Sequence, residues 1–306
     1  MADEVRSKPA DLARVRAYYD QTWFDYRLFW FSSVNLAIHF GYWDATTRNH
    51  GEALFAINRV LADTAGVRAG DRVLDAGCGV GGSAIWLAAH CGAEVVGITP
   101  VASQVARARA YARRRGIDGL VTFEQQDYLD TSYADASFDV VWAQESATHT
   151  ERKDAFLAEA FRLLRPGGRL VIVDFFRWRR PYAEPDERQL LGALADWASP
   201  DLSTVGEFDA WARQAGFVDI TWRDITDNVR PSLQRLYLLA MAMYPAGVVM
   251  RTMRLRNAVQ HGNMRGAVNG WRTLRRGLWH ESIMVARKPR QVSAVFRPTP
   301  EVSPEV

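Results

Sequence analysis

Val73-Leu74-Asp75-Ala76-Gly77-Cys78-Gly79-Val80-Gly81-Gly82 is the stretch that decides the fold. Val73 and Leu74 end a short apolar run, the pattern of a buried parallel strand. Ser83 to Ala89 has the spacing of the first turns of a helix. Between them lie four glycines in six positions. Glycine accepts positive φ and lets a ligand approach the backbone closely. A strand, a glycine turn and a helix N-terminus together make a nucleotide site at the carboxyl end of a parallel sheet. From Gly77 the pattern G-C-G-V-G-G also fits the G-x-G-x-x-G of a dinucleotide site, so spacing alone does not choose the nucleotide. Asp75 narrows the choice. A carboxylate inside the turn would repel a pyrophosphate, but it suits a ligand carrying an ammonium group.

The run D-A-G-C-G-x-G-G resembles the first motif of class I S-adenosylmethionine-dependent methyltransferases. That resemblance implies S-adenosylmethionine as cofactor, with Asp75, Gly77, Cys78 and Gly79 around its methionine part.

Strands and helices alternate outward from this turn. Strands are expected at 71–74, 94–98, 121–125, 138–143, 169–175, 218–224 and 279–287, and helices at 52–65, 101–115, 153–164 and 204–215. This alternation indicates a parallel α/β sheet with right-handed crossovers. The fold expected is a seven-stranded Rossmann-like methyltransferase sheet with two additions. One is an N-terminal aromatic helical lid over residues 1–50, dense in Tyr, Trp and Phe between Tyr18 and Trp43. The other is a helical cap over 226–278, inserted before a last strand at 279–288, with helices at 233–243 and 246–260. The core then covers 51–225, with a smaller insertion at 177–203. Residues 1–10 and the proline-bearing tail 289–306 read as disordered.

Composition sets further bounds. The 306 residues are 48% hydrophobic with net charge +3, enough for a sizeable core. The basic residues are dispersed, which is no footprint for nucleic acid. The cysteines Cys78 and Cys91 match no metal spacing, and no metal is expected. They read as reduced thiols of a cytoplasmic protein. The N-terminus lacks the apolar region of a secretory signal. The greasiest stretch, 236–250, is shorter than the ~20 residues of a membrane span and contains Pro245. The expected partner is a hydrophobic small molecule, with room for a homo-oligomer.

The strand ends carry the chemistry. The second strand closes on Ile98-Thr99-Pro100 with no carboxylate for ribose, and Gln104 follows five residues after Thr99. A hydroxyl and an amide can serve ribose hydroxyls as neutral partners. G-I-T-x-x-x-x-Q resembles tocopherol methyltransferases, sterol C-methyltransferases and cyclopropane fatty acid synthases. In related enzymes the acidic residue ending the third strand meets adenine and the next side chain lies on the ring, roles that suit Asp127 and Tyr128. Trp142-Ala143-Gln144-Glu145-Ser146-Ala147-Thr148-His149 resembles the matching stretch of tocopherol methyltransferases, with Gln144 beside the cofactor and Glu145 and His149 facing the acceptor.

Tyr18-Tyr19-Asp20, the H-F-G-Y-W-D run from His39 to Asp44 and the closing R-R-G-L-W-H-E-S-I-M-V-A-R-K-P extend the resemblance. It implies substrate contacts at Tyr19, His39 and Tyr42. The cap from Arg251 to Gly277 has no such counterpart. Carbon methylation of an isoprenoid-bearing acceptor is the first expectation. Glu145 would then steady a carbocation and remove its proton. The alternatives are O- or N-methylation, with His149 as base and Glu145 as its orienter, and a non-catalytic binding module.

Overall fold

The computed structural model describes residues 9–30, 32 and 34–290. The seven strands are β1 (Arg72–Ala76), β2 (Glu94–Thr99), β3 (Val121–Gln125), β4 (Phe138–Gln144), β5 (Leu164–Phe176), β6 (Val218–Asp224) and β7 (His280–Arg287). They form one sheet in the order β3-β2-β1-β4-β5-β7-β6. The order reverses at β1, so the glycine turn opens at the point where neighbouring connections diverge. β1 and β4 are almost wholly buried and correspondingly continuous in apolar residues.

The helices are α1 (Pro9–Phe29), α2 (His50–Ala65), α3 (Gly82–Cys91), α4 (Ala102–Arg114), α5 (Lys153–Leu163), α6 (Glu184–Asp196), α7 (Val205–Ala215), α8 (Thr226–Thr252) and α9 (Ala258–Arg275). One sheet face is covered by α2, α3 and α4, through Leu54, Ile57, Leu61, Ile85 and Leu87. The other is covered by α5 and α7, through Phe156, Leu157 and Phe208. Local signals set the ends. Asn49 accepts from Glu52 N to start α2, Gly66 closes it at φ 62°, and Thr204 and Glu207 form a capping box on α7.

The sheet is mixed rather than parallel throughout. β7 runs antiparallel to β5 and β6, with His280 opposite Phe176 and Arg287 opposite Arg169. The cause lies in the connection. After β6 the chain does not cross back down a sheet face. It stays above the carboxyl edge as α8 and α9, then re-enters from that edge and descends.

The helical segments also differ in extent from the sequence reading. α1 already begins at Pro9 and continues to Phe29, while residues 1–8 and 291–306 of the expected disordered ends lie outside the described residues. α8 is continuous for 27 residues through Pro231 and Pro245, not broken at Pro245. The chain turns after Thr252, where Arg254 takes φ 60° and Asn257 and Gln260 form the capping box of α9. By length and composition α8 suffices to cross a membrane, which the shorter greasy stretch did not suggest. Its first half is pinned to the core instead. Ser232 Oγ accepts from Gly41 N at 3.1 Å and Trp43 Nε1 at 3.0 Å, and Val229 and Leu233 are buried. α9 packs on α6 through a stripe of small residues: a Cβ on Gly266 or Gly270 would stand 2.6 or 2.4 Å from the Trp197 ring.

Candidate active site

Glycine shapes the turn after β1. Gly77 (φ 97°) and Gly79 (φ 52°) occupy the left-handed region. A Cβ on Gly77 would stand 2.4 Å from Ser146 Cβ, and one on Gly79 2.6 Å from Ile38 Cδ1. Gly77 N and Cys78 N both donate to Ile98 O at 2.9 Å, which ties the turn to β2. Beside it opens a cavity, and every residue expected to hold the cofactor lines it, from Asp75 to Gln144.

Three lining atoms are buried without a protein partner: Asp75 Oδ2, Gln144 Nε2 and His39 Nε2. Buried polar atoms are rarely left unpaired, so they mark a place for a polar ligand. A carboxylate and an amide N–H together suit the ammonium and carboxylate of an amino acid. Ser83 Oγ donates to Gln144 Oε1 at 2.8 Å, which leaves Nε2 as the end of that amide with no partner. Thr99 Oγ1 donates to Gln104 Oε1 at 2.7 Å, so the neutral pair is preset. Tyr128 is fixed by its hydroxyl, which donates to Ser146 O at 3.1 Å. Asp127 Oδ1 accepts from Leu129 N at 3.0 Å.

A second cavity lies between the carboxyl ends of β4 and β5 and the helices α1, α6, α8 and α9. Tyr19, Ile38, His39, Glu145 and His149 line both cavities and form the passage between them. Glu145 follows β4 at φ 48°, an uncommon backbone state for a side-chain-bearing residue. Glu145 N donates to Val173 O at 2.8 Å, and Oε1 accepts from Phe40 N at 2.7 Å. His149 ends a single 3-10 turn, Ala147–His149. Its Nδ1 lies 3.2 Å from Ala198 O and its Nε2 lies 2.9 Å from the Tyr19 hydroxyl. A carbonyl only accepts, so Nδ1 carries the hydrogen and Nε2 accepts from Tyr19.

The family model described as "Methyltransferase domain" matches residues 74–172. The 27-O-demethylrifamycin SV methyltransferase of Amycolatopsis mediterranei (strain S699) is 36% identical over 195 residues, covering 64% of this chain and 71% of the relative. The chain is a class I S-adenosylmethionine-dependent methyltransferase. It is also 32% identical over 211 residues to 24-methylenesterol C-methyltransferase 2 of Oryza sativa subsp. japonica, covering 68% of this chain and 58% of that relative. Among solved structures, the geranyl diphosphate C-methyltransferase from Streptomyces coelicolor A3(2), in complex with Mg2+, geranyl diphosphate and S-adenosyl-L-homocysteine, shares the fold. Its TM-score is 0.69 at 19% identity, over 92% of this chain and 98% of that one.

Burial sets the protonation states in the methyltransferase. It pushes Asp75 up to about 7, opposed by a hydrogen bond from the Ala84 backbone. It pushes Glu145 up to about 8, with the Phe40 N–H working against it and the Asp174 charge adding to it. It lowers His149 and His39 to about 4, so both imidazoles are neutral at physiological pH. Glu281, on β7 opposite Phe175, is fully buried with both oxygens unpartnered, and burial holds its carboxyl well above the usual range.

Two sequence expectations change at this point. Tyr42 lies outside both cavities; it packs against the core, with the Arg223 guanidinium over its ring. The group that orients His149 is the Ala198 carbonyl, not Glu145. Ala198 sits at φ 57° just after α6, which turns that carbonyl toward the imidazole. Ala198, Ser199 and Trp197 were not singled out in the sequence. They belong to the insertion at 177–203, and nothing in its composition marks them. The same holds for Asp25, Arg256 and Asn263, which meet across α1 and α9 in the second cavity.

Proposed function

We propose that this methyltransferase methylates an oxygen of a hydrophobic small molecule, with His149 as the base. One observation carries the reading. The Ala198 carbonyl holds Nδ1–H, so the His149 Nε2 lone pair faces the passage, where it accepts from Tyr19. S-adenosylmethionine supplies an electrophilic methyl group when bound. Asp75 and Gln144 would hold its amino acid part, Thr99 and Gln104 its ribose, and Asp127 and Tyr128 its adenine. The acceptor hydroxyl donates to the Tyr19 oxygen, which in turn donates its own hydrogen to His149 Nε2. The proton released on methylation passes along these two bonds to the neutral imidazole. An alkylated oxygen is a strong acid, so a weak base is sufficient. α1 acts as a lid and α8–α9 as a cap, keeping water from the reacting groups.

Carbon methylation of an isoprenoid-bearing acceptor is the second reading, favoured by Glu145 in the passage and by the sterol C-methyltransferase relative. Burial raises the Glu145 carboxyl in the empty protein, and a cationic ligand or intermediate beside it would favour the carboxylate again. Paired variants test the choice. For an oxygen acceptor, His149→Ala lowers kcat by roughly 10²-fold or more while Glu145→Gln costs much less. The reverse order establishes the carbon reading, and mild effects from both would leave neither residue as a catalytic group.

A further inference from the structure

The wall of the acceptor cavity where α1 meets the start of α9 carries a buried polar cluster. Arg256 pairs with Asp25 through Nη1 and Oδ1 at 3.0 Å and through Nη2 and Oδ2, and both side chains are over nine-tenths buried. Nη2 also donates to Gln260 O at 2.6 Å. Asn263 Nδ2 donates to Asp25 Oδ2 at 3.3 Å, and Asn263 Oδ1 accepts from the Tyr18 hydroxyl at 2.8 Å. The Tyr18 hydrogen is thereby used, so the Tyr26 hydroxyl, 3.0 Å away, donates to the Tyr18 oxygen. Left for a ligand are the Nε–H of Arg256, buried without a partner, and the lone pairs of the Tyr26 oxygen.

We infer that this cluster is a subsite for a hydroxyl group on an uncharged acceptor, and that it rejects a diphosphate. A hydroxyl has both roles these groups leave open, an acceptor for Arg256 Nε–H and a donor to the Tyr26 oxygen. A diphosphate finds no uncompensated cation. Among the described residues lining the cavity, Arg256 is the one arginine or lysine, and its charge is already cancelled by Asp25. An anion seated there is buried with no free counter-charge unless it displaces Asp25, and either course is costly in low dielectric. The inference deepens the reading above by naming a group that the acceptor carries, and it rests on that reading for the cavity being the acceptor's.

A matched pair of probes isolates the head group: farnesol and farnesyl diphosphate, titrated calorimetrically into the full chain saturated with S-adenosyl-L-homocysteine. Farnesol is expected to bind the wild type more tightly by roughly tenfold or more. Asp25→Asn leaves Arg256 as a net cation and should raise diphosphate affinity by roughly tenfold. Tyr26→Phe should weaken farnesol by about fivefold and leave the diphosphate unchanged. The inference is overturned if the diphosphate binds the wild type as well as farnesol, if farnesol does not bind, or if Tyr26→Phe leaves farnesol affinity intact. Should Asp25→Asn fail to fold, the wild-type and Tyr26→Phe titrations still decide. Binding is read without turnover, so failure here is distinct from failure of the His149 assignment. That assignment fails if His149→Ala keeps its kcat, whatever the two probes do.

Discussion

The two cavities meet at one passage but are built by different means. The cofactor cavity rests on backbone: left-handed glycines, amide N–H groups tied to the neighbouring strand, and strand ends that the sheet register fixes. The acceptor cavity rests on side chains from α1, α6, α8 and α9, whose positions depend on helix packing. The first tolerates little change, because a new Cβ meets a wall within 3 Å. The second can be reshaped one side chain at a time. Loss of cofactor and loss of acceptor should therefore be separable.

Gly79→Val is the harshest test of that separation. A branched residue at φ 52°, with its Cβ 2.6 Å from Ile38, should cost roughly 2–6 kcal/mol from backbone strain and overpacking. Calorimetry should show cofactor affinity falling by roughly 10²-fold or more in a folded protein. Unchanged affinity would mean the turn does not hold the cofactor. The Thr99→Ala/Gln104→Ala pair should weaken the cofactor by about 1–3 kcal/mol, the value of one or two hydrogen bonds. A negligible loss would move the ribose elsewhere.

A smaller effect comes from pH. In the empty protein Asp75 is protonated below about 7, whereas an ammonium partner favours its charged form. Binding must then release a proton below pH 7, so affinity rises with pH up to about 7 and levels off above it. Between pH 6 and 5 the change should approach tenfold. Titrations at pH 6 in two buffers of different ionisation enthalpy measure the released proton directly, and zero release would remove Asp75 from the ammonium's contacts. The least effect belongs to Tyr42→Phe. Lying outside both cavities, it should change turnover by less than about twofold and stability by under about 0.5 kcal/mol. A marked loss of turnover would show that the acceptor cavity extends further than its present walls.

The same contrast decides what was legible in the sequence. The strands, their order of appearance and the residues that line the first cavity follow from contiguous motifs, because a glycine turn and a strand end are local objects. The reversed direction of β7 was hidden, since it depends on where the 55-residue connection from Asp224 to His280 travels. The turn between α8 and α9 did leave a local mark in Asn257 and Gln260, a capping-box spacing obscured by the more conspicuous Pro245. Asp25 and Arg256 are 231 residues apart, and His149 and Ala198 are 49 apart. No pattern within a window of either residue announces the other, because each contact forms only once the helices have docked.

The antiparallel return of β7 has a bearing on how such enzymes diversify. Asp224, where β6 ends, pairs with Ser282 near the start of β7, so the two stems of the α8–α9 excursion already stand side by side on neighbouring strands. None of that excursion touches the cofactor cavity. It is a cassette with its ends held together by the sheet. A foreign helical pair of different length could be spliced between the same two strands at little entropic penalty, since closure cost grows only slowly with loop length. The methyl-donating half would be inherited untouched while the acceptor's mould was exchanged in one step.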